Sequence, residues 1–243
     1  MSTGAPFPDT SLWGIHAPVI ALAGGHRNTV LRTEPGWSPA VVFKSTRRSL
    51  EALSWLAAPQ AAALKAGFFV PELLVSERGQ VMEDGWTCEP FVEGIPFSRS
   101  DMPEIAAMLA RFHSEAANIA QRPGFASSQE LLKRGKGGDV DLSLMPDALV
   151  RRCRSAWAAL ENDSVGVIHA DLSPSNLMHL PTGQPALLDW DETRVDNRIF
   201  DSVQVATGAV AQDVKQATCA WEIACSWHLE PERARRLAAR CFP

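Results

Sequence analysis

The sequence predicts an α+β protein of two lobes, a strand-rich N-terminal lobe followed by a mainly helical C-terminal lobe. Two observations carry this prediction. The first ninety residues hold short β-branched segments separated by turns, whereas the later segments repeat apolar residues at helical spacing. The patterning changes at Glu93-Gly94-Ile95-Pro96. We therefore expect the lobes to comprise residues 1–92 and 93–243.

The predicted elements of the first lobe are strands with one helix between them. A hairpin turn over Gly24–Asn28 joins the first two strands. A helix follows over residues 49–58, with Pro59 just past its end. The strand segments are residues 19–23, 29–32, 40–44, 72–75 and 86–88.

In the second lobe helices dominate. Asp101 and Glu104 have the spacing of a capping box, and an apolar stripe runs from Ile105 to Ile119. The segment from Arg122 to Met145 has no clear period, which predicts mainly loop. The remaining segments are a helix over 148–160, short strands over 165–168 and 186–188, an amphipathic helix over 214–225 and a final basic helix beginning at Pro231.

Composition excludes several classes of protein. The 243 residues are 46% hydrophobic and 21% charged, which is enough apolar material for a sizeable core. The formal charge of -5 gives no electrostatic footprint for a nucleic acid partner. No apolar run has the length of a membrane span, and the N-terminus lacks the pattern of a signal peptide. We expect a cytoplasmic protein without a membrane partner, and the oligomeric state is left open.

The 5 cysteines are odd in number, scattered and free of any CxxC pair. This pattern predicts free buried thiols in a reducing cytosol.

The densest group of polar residues follows the apolar segment at 165–168. It reads His169-Ala170-Asp171-Leu172-Ser173-Pro174-Ser175-Asn176, and Asp189 comes directly after the second apolar segment. A turn at Pro181–Gly183 would bring Asn176 and Asp189 to the same end of a hairpin. Phosphoryl transfer needs such a set, because one carboxylate orients the attacking hydroxyl while an amide oxygen and a second carboxylate hold Mg²⁺.

These two motifs, HADLSPSN and LLDWDE, resemble the catalytic and metal-binding motifs of the aminoglycoside phosphotransferase and choline-kinase-like family, relatives of protein kinases. The resemblance covers roughly residues 20–205 and is most specific at the 169–176 loop. It implies a protein-kinase-like fold. It also implies an ATP-dependent (or GTP-dependent) phosphotransferase that uses Mg²⁺ and moves the γ-phosphate to a hydroxyl of a small molecule, an aminoglycoside-like antibiotic or a small metabolite.

Carried over by position, the resemblance assigns roles to the polar residues of the second lobe. It implies that Asp171 is the catalytic base or hydroxyl-positioning carboxylate, and that His169 supports catalysis by bracing the loop. Asn176 and Asp189 are the implied Mg²⁺ ligands, and Asp201 the implied anchor of the loop.

In the first lobe the resemblance implies a nucleotide site. Gly24 and Gly25 belong to the implied nucleotide loop, and Lys44 contacts the α and β phosphates, steadied by Glu51. The connection between the lobes runs from Glu89 to Val92, with its backbone receiving adenine; the N–H of Phe91 is the expected donor, because Pro90 has none.

Besides a glycine loop with only two glycines and a short C-terminal part, the sequence departs from the family pattern at two single residues. Ala170 stands where the family has glycine, which excludes conformations that only glycine tolerates. Glu51 follows Lys44 by only seven residues, a shorter gap than is usual in kinase-like folds.

Two other functions stay open at this point. His169, Asp171, His179, Asp189 and Asp191 could form the site of a metal-dependent hydrolase. Alternatively, the chain could be a catalytically silent kinase-like module that binds nucleotide.

Overall fold

The structure is a computed structural model that describes residues 7–22, 27–160 and 164–242. Seven α-helices and eleven strands lie in these ranges. The helices are α1 Leu50–Ser54, α2 Ala57–Ala66, α3 Ala106–Glu115, α4 Asp147–Ala158, α5 Ile199–Val205, α6 Gln212–Ser226 and α7 Pro231–Cys241. The strands are β1 Val19–Ala21, β2 Val30–Thr33, β3 Val41–Ser45, β4 Trp86–Pro90, β5 Ile95–Pro96, β6 Lys136–Gly137, β7 Val140–Asp141, β8 Val165–Ile168, β9 Leu177–His179, β10 Pro185–Leu187 and β11 Arg194–Asn197.

The N-terminal region is built on one antiparallel sheet with the strand order β1-β2-β3-β4. Trp13, Phe43 and Trp86 are buried in the apolar cluster on this sheet. The strands of this region are rich in β-branched and aromatic residues, whose side chains pack well against one another on a pleated sheet. The central strand β3 carries Lys44, so the sheet core fixes the position of that lysine.

Helices α1 and α2 pack away from the sheet, in an apolar cluster that also contains α3 and the β9–β10 hairpin. Leu53 and Ala63 from the first region meet Phe112 and Leu187 from the second in this cluster. A second cluster joins α4 to α6 around Trp157 and Trp221. The arrangement confirms the expected α+β architecture of a sheet region and a helical region, whereas a lobe boundary at residues 92 and 93 stays a prediction.

Pro59 lies inside α2 rather than just past a helix end. The predicted helix over 49–58 is wrong in this respect: α1 ends at Ser54, and a new helix begins at Ala57. A proline is tolerated at this position because the first N–H groups of a helix have no partner within the helix.

Residues 72–75 were expected to form a strand and do not. The segment makes a hydrogen bond from the Leu74 N–H to the carbonyl of Cys88 (2.7 Å), without a ladder. The expected capping box at Asp101 is also absent, because its carboxylate accepts from the N–H of Ser98 (2.7 Å). The N–H of Ser98 thus competes with the helix N–H groups for the Asp101 carboxylate, and sequence spacing alone does not show which of them binds it.

The prediction of free cysteines is wrong for two of the five. Cys219 on α6 and Cys241 at the end of α7 form a disulfide, with their Cα atoms 6.5 Å apart. The two cysteines are distant in sequence, so spacing gave no sign that the two helices pack side by side. Cys88, Cys153 and Cys225 are free and buried, as expected.

Within the described ranges, no helix combines the length and the apolar character needed to cross a bilayer.

Candidate active site

A cavity of about 760 Å³ lies between the sheet region and the helical region. The residues assigned by the resemblance to the acceptor, the metal and the phosphates all line it, namely Lys44, Asp171, Asn176 and Asp189. The remaining wall comes mainly from the loop before β2 and from α6 and α7. A cavity of this size is typical of small-molecule sites.

The β9–β10 hairpin brings Asn176 and Asp189 together. Leu177 pairs with Leu187 in antiparallel register, so the residues before β9 and after β10 leave the hairpin at the same end. The N–H of Leu188 donates to the carbonyl of Asn176 (2.9 Å) and extends the pairing by one bond. The hairpin predicted from the turn at Pro181–Gly183 is therefore confirmed.

Asp171 and Asn176 are joined across the 169–176 loop. The amide Nδ2 of Asn176 donates to both the carbonyl oxygen (2.8 Å) and Oδ2 (2.9 Å) of Asp171. Although solvent reaches the Asp171 side chain from the open cavity, desolvation by the surrounding walls and the negative charge of Asp189 raise its pKa to about 6, and the bond from Asn176 acts in the opposite direction. Because Nδ2 is the donor, Oδ1 of Asn176 keeps its lone pairs for another partner.

Lys44 lies between two carboxylates. Its Nζ is 3.1 Å from Oε1 of Glu89 and 3.7 Å from Oδ1 of Asp189. Burial lowers the pKa of Lys44, but the carboxylates of Glu89 and Asp189 outweigh it and raise the pKa. The ammonium is therefore held charged at the edge of the cavity.

The partner of Lys44 is Glu89, and the expectation that Glu51 steadies it is wrong. Lys44 pairs with Thr87 in the sheet, and Glu89 lies diagonally across on the same face of β4. Glu51 instead lies in the first turn of α1 and is exposed to solvent. Ser49 caps this helix only four residues after the end of β3, so Glu51 is not carried back to the side of Lys44. This pairing depends on the register between β3 and β4, which the structure shows and local pattern does not encode, whereas the family resemblance implied a glutamate on the helix.

His169 lies behind the 169–176 loop and does not face the cavity. Its ring Nε2 donates to the carbonyl of Leu188 (2.9 Å), the residue before Asp189. The ring is fully buried and packs edge-on against Trp190 (5.1 Å between centroids), and this burial lowers its pKa. His169 is thus a positioning residue that ties the 169–176 loop to the segment carrying Asp189.

Asp201, in the first turn of α5, binds the backbone of the same 169–176 loop. Its carboxylate accepts from the backbone N–H of His169 (2.7 Å) and of Ala170 (2.9 Å), and from Nε2 of His113 (3.1 Å). Burial would raise its pKa, but these hydrogen bonds outweigh burial and lower it. The anchoring role that the resemblance implies for Asp201 agrees with this geometry, and the buried His113 is one of its partners.

Two residues of the site have left-handed backbone conformations. Ala170 has φ 72° and Asp189 has φ 61°. The left-handed region is open to alanine at a cost in strain, so this conformation is compatible with the exclusion expected from its Cβ. The bond to Asp201 compensates for a strain of roughly 1–2 kcal/mol at such a position.

The backbone N–H of Phe91, expected to bind adenine, already has a partner within the protein. The N–H of Phe91 donates to the carbonyl of Ala40 (2.9 Å), so it is not free to bind a base, and the Phe91 ring lies under Arg32 (4.0 Å). Strand pairing continues one residue past β4, beyond the strand predicted over residues 86–88. Gly24 and Gly25 lie outside the described residues.

Buried arginines lie beside the site at positions that no sequence pattern indicated. Arg48 binds Asp139 (2.7 Å) and Asp191 (2.9 Å), and so links the end of β3 to the segment after Asp189. Arg122 donates to the carbonyls of Ala52 (3.0 Å) and Asp191 (2.7 Å), and burial lowers its pKa to about 10. Both side chains hold the Asp189 segment against the first region. No sequence signal marked Arg122, since its surroundings have no periodicity.

Arg27 crosses the cavity from the loop before β2. Its guanidinium binds Glu192 (2.9 Å) and Glu230 (3.0 Å), which belong to the second region. The described end of the implied nucleotide loop is thereby connected to the segment before β11 and to the N-terminus of α7.

Comparison with known proteins supports the resemblance. The model of the phosphotransferase enzyme family matches residues 14–241. Among solved structures, aminoglycoside phosphotransferase APH(4)-Ia is similar with a TM-score of 0.61 and 12% identity, covering 96% of this chain and 94% of that one. Choline kinase LicA from Streptococcus pneumoniae gives 0.60 and 15%, covering 93% and 95%. Spectinomycin phosphotransferase APH(9)-Ia, solved with ADP and spectinomycin, gives 0.56 and 10%, covering 96% and 88%.

These similarities in structure confirm the expected two-lobe, kinase-like fold. A search of proteins with curated functions found no match to the sequence. The family match covers nearly the whole chain, including every residue that lines the cavity. The chain belongs to the phosphotransferase enzyme family.

Proposed function

We propose that the chain transfers the γ-phosphate of ATP or GTP to a hydroxyl group of a small molecule. One observation carries the proposal: a lysine, a hydroxyl-positioning carboxylate and two oxygen ligands for a metal line one cavity. Phosphoryl transfer is catalysed chiefly by positioning and by electrostatic stabilisation, which are the two things that such a set provides.

Asp171 is the residue proposed to act on the acceptor. Its carboxylate accepts a hydrogen bond from the acceptor hydroxyl and receives the proton as the oxygen attacks. In the same step the new bond forms between that oxygen and the γ-phosphorus, and the bond to the β-phosphate oxygen breaks, releasing the nucleoside diphosphate. Asn176 keeps the carboxylate in place through the Nδ2 bond of 2.9 Å.

Asn176 and Asp189 fit a magnesium ion. Both offer oxygen atoms, the ligands that Mg²⁺ prefers, and both line the cavity. The Asp189 side chain is 43% exposed, and Oδ1 of Asn176 is left available by the bonds of Nδ2. Bound Mg²⁺ would neutralise charge on the nucleotide phosphates.

Lys44 is proposed to bind the phosphates of the nucleotide. Glu89 orients its ammonium at 3.1 Å, so the charge faces the cavity. The Lys44 Nζ also lies 3.7 Å from Oδ1 of Asp189, the proposed metal ligand, which places the ammonium beside the expected position of the phosphates. Lys44 is therefore the candidate for the phosphate contact.

The hydrolase alternative finds no support in the geometry. Within the described ranges, the side chains close enough to share an ion are Asp139, Glu192 and Cys225, which include no member of the His169, Asp171 and Asp189 set. The carboxylates of Asp139 and Glu192 are already bound to Arg48 and Arg27.

The acceptor is proposed as an antibiotic or a small metabolite. The similar solved structures include spectinomycin and hygromycin B complexes and a choline kinase. The cytoplasmic location stays a prediction of the sequence.

An acceptor screen tests this proposal. We expect nucleoside diphosphate to form in the presence of Mg²⁺, ATP or GTP, and one class of hydroxyl acceptor, with label from γ-³²P recovered in the acceptor. Asp171→Asn is expected to lower kcat by about 10²–10⁴. Asp189→Ala is expected to abolish Mg²⁺-dependent turnover without loss of the folded state.

Asp147→Asn is the matched control, because Asp147 is exposed in the first turn of α4 and outside the cavity. A near-wild-type rate for Asp171→Asn would contradict the assignment. Binding of nucleotide without turnover of any acceptor would identify the silent module instead.

A further inference from the structure

The wall of the cavity opposite the sheet is formed by one face of α6 and one face of α7. From α6 it takes Thr218, Trp221, Glu222 and Cys225, and from α7 it takes Arg233, Arg236, Leu237 and Arg240. In both helices these positions recur every three or four residues, which places them on a single face. Three arginines of one short helix thus line the cavity that also contains Asp171.

The acidic residues of this wall are already bound to arginines. Glu222 binds Arg233 (2.7 Å), and Glu230 binds Arg27 (3.0 Å) and Arg233 (3.4 Å). These carboxylates are therefore poorly suited to bind the amino groups of a cationic acceptor, because each ion pair with arginine would first have to break.

Arg236 and Arg240 differ from Arg233. In the part of the chain that the structure describes, Arg240 has neither a hydrogen bond nor an ion pair, and Arg236 contacts only Glu232, at 3.9 Å. Both members of that pair are largely exposed (74% and 85%), and such pairs contribute little. Two guanidinium groups, one helical turn apart, consequently keep uncompensated positive charge at the cavity.

The basic face is fixed in place by covalent and packing contacts. The disulfide from Cys219 to Cys241 joins α6 to the residue after Arg240. Near the other end of α7, Arg233 reaches back to α6 through Glu222 and the hydroxyl of Ser226 (2.9 Å). The positions of Arg236 and Arg240 are thereby set relative to the cavity.

We infer that the acceptor carries an anionic group, a carboxylate or a phosphate, which Arg236 and Arg240 bind while the acceptor hydroxyl is presented to Asp171. This inference rests on the proposed phosphotransferase function and names the chemical class of its acceptor. Guanidinium groups bind both anions through paired N–H donors, so the two share one recognition chemistry. A polycationic acceptor would instead meet two unneutralised positive charges.

The test is an acceptor screen in charge-matched sets, each with one hydroxyl skeleton. Glucose, glucosamine, glucuronate and glucose 6-phosphate form one set, and glycerol, 3-amino-1,2-propanediol, glycerate and glycerol 3-phosphate another; choline and kanamycin represent larger or permanent cations. We expect the anionic members of each set to have the highest kcat/KM. Comparing the carboxylate member with the phosphate member of the same set shows which of the two anionic groups the protein prefers.

Variants of α7 then connect the preference to the two arginines. The double variant Arg236→Ala/Arg240→Ala is expected to lower kcat/KM for the best anionic acceptor by about 10-fold or more, through KM, with the KM for ATP unchanged. Arg235→Ala is the matched control, because Arg235 is exposed on the same helix and does not line the cavity. We expect it to behave as the wild type.

Each outcome decides between the claims. Turnover of cationic or neutral acceptors in preference to anions would overturn the anionic assignment and leave the phosphotransferase function standing. Equal kcat/KM for the double variant and Arg235→Ala would overturn the role of the two arginines. Absence of transfer to any acceptor would contradict the proposed function itself, and this inference with it.

Discussion

Ala170 donates its backbone N–H to Oδ1 of Asp201 over 2.9 Å while its own φ is 72°. The buried carboxylate thus holds an alanine in a conformation that glycine adopts without strain. The residue lies directly before Asp171, so the same contact that keeps the strain in place also positions the carboxylate proposed to act on the acceptor.

Replacing Ala170 by glycine should stabilise the protein. Glycine removes roughly 1–2 kcal/mol of left-handed strain and restores about 0.4–1 kcal/mol of entropy to the unfolded chain, so the net gain is about 0.5–1 kcal/mol. Urea unfolding measures the change. Ala110→Gly is the control, because Ala110 is exposed within α3 and should lose about 1 kcal/mol. Destabilisation at both positions would contradict the strain at residue 170.

Asp201→Asn should destabilise the protein by about 3 kcal/mol at pH 7, since the buried site would lose a charged acceptor of several hydrogen bonds. The pKa of Asp201 is lowered in the folded state, so its contribution is present above the unfolded pKa of about 4 and is lost as the pH falls through the folded pKa. The difference between wild type and variant should therefore narrow below pH 4.

Denaturant unfolding at pH 7 and at acidic pH values below 4 measures this difference. Asp213→Asn, at an exposed position in the first turn of α6, should change the stability by no more than about 0.5 kcal/mol at either pH. A difference for Asp201→Asn that stayed constant with pH would show that its charge is not responsible.

Glu89→Gln should impair the use of nucleotide, and Glu51→Gln should not. The first substitution removes the charge 3.1 Å from Lys44, and the freed ammonium is then drawn toward Asp189. A loss of one charged hydrogen bond, about 1.5–3 kcal/mol, corresponds to roughly 10- to 100-fold in kcat/KM for ATP. Glu51 is exposed on α1, so its substitution is the matched control. A larger loss of kcat/KM for Glu51→Gln than for Glu89→Gln would favour the ion pair of Lys44 with Glu51 that the resemblance implied.

The contrast between Glu51 and Glu89 illustrates what could be predicted. The hairpin at residues 177–187 and the position of Lys44 on a strand follow from local apolar patterns, and the structure has both. The partner of Lys44 depends on which strands pair and in which register, a long-range property that local pattern does not encode.

The buried arginines were unpredictable for the same reason. Arg122 lies in a segment without periodicity, and its role comes from four backbone carbonyls that are distant in sequence. A charged residue is expected at the surface unless it is paired, so composition gave no hint of its burial. Contacts of this kind emerge only when the whole chain is folded.

Reduction of the disulfide between Cys219 and Cys241 should destabilise the protein and loosen the wall of the cavity. The bond closes a loop with a sequence separation of 22, for which chain entropy gives a stabilisation of about 3 kcal/mol. We expect dithiothreitol to lower the Tm of the wild type, whereas Cys219→Ser/Cys241→Ser should already have the lower Tm and not respond to the reductant.

The same bond should affect binding of the acceptor, because Cys241 directly follows Arg240 on the wall of the cavity. We expect reduction to raise the KM for the acceptor and to leave the KM for ATP nearly unchanged. A wild-type Tm that is unchanged by reductant would contradict a stabilising role for the bond, and an unchanged acceptor KM would show that contacts within α6 and α7 are sufficient to hold the wall.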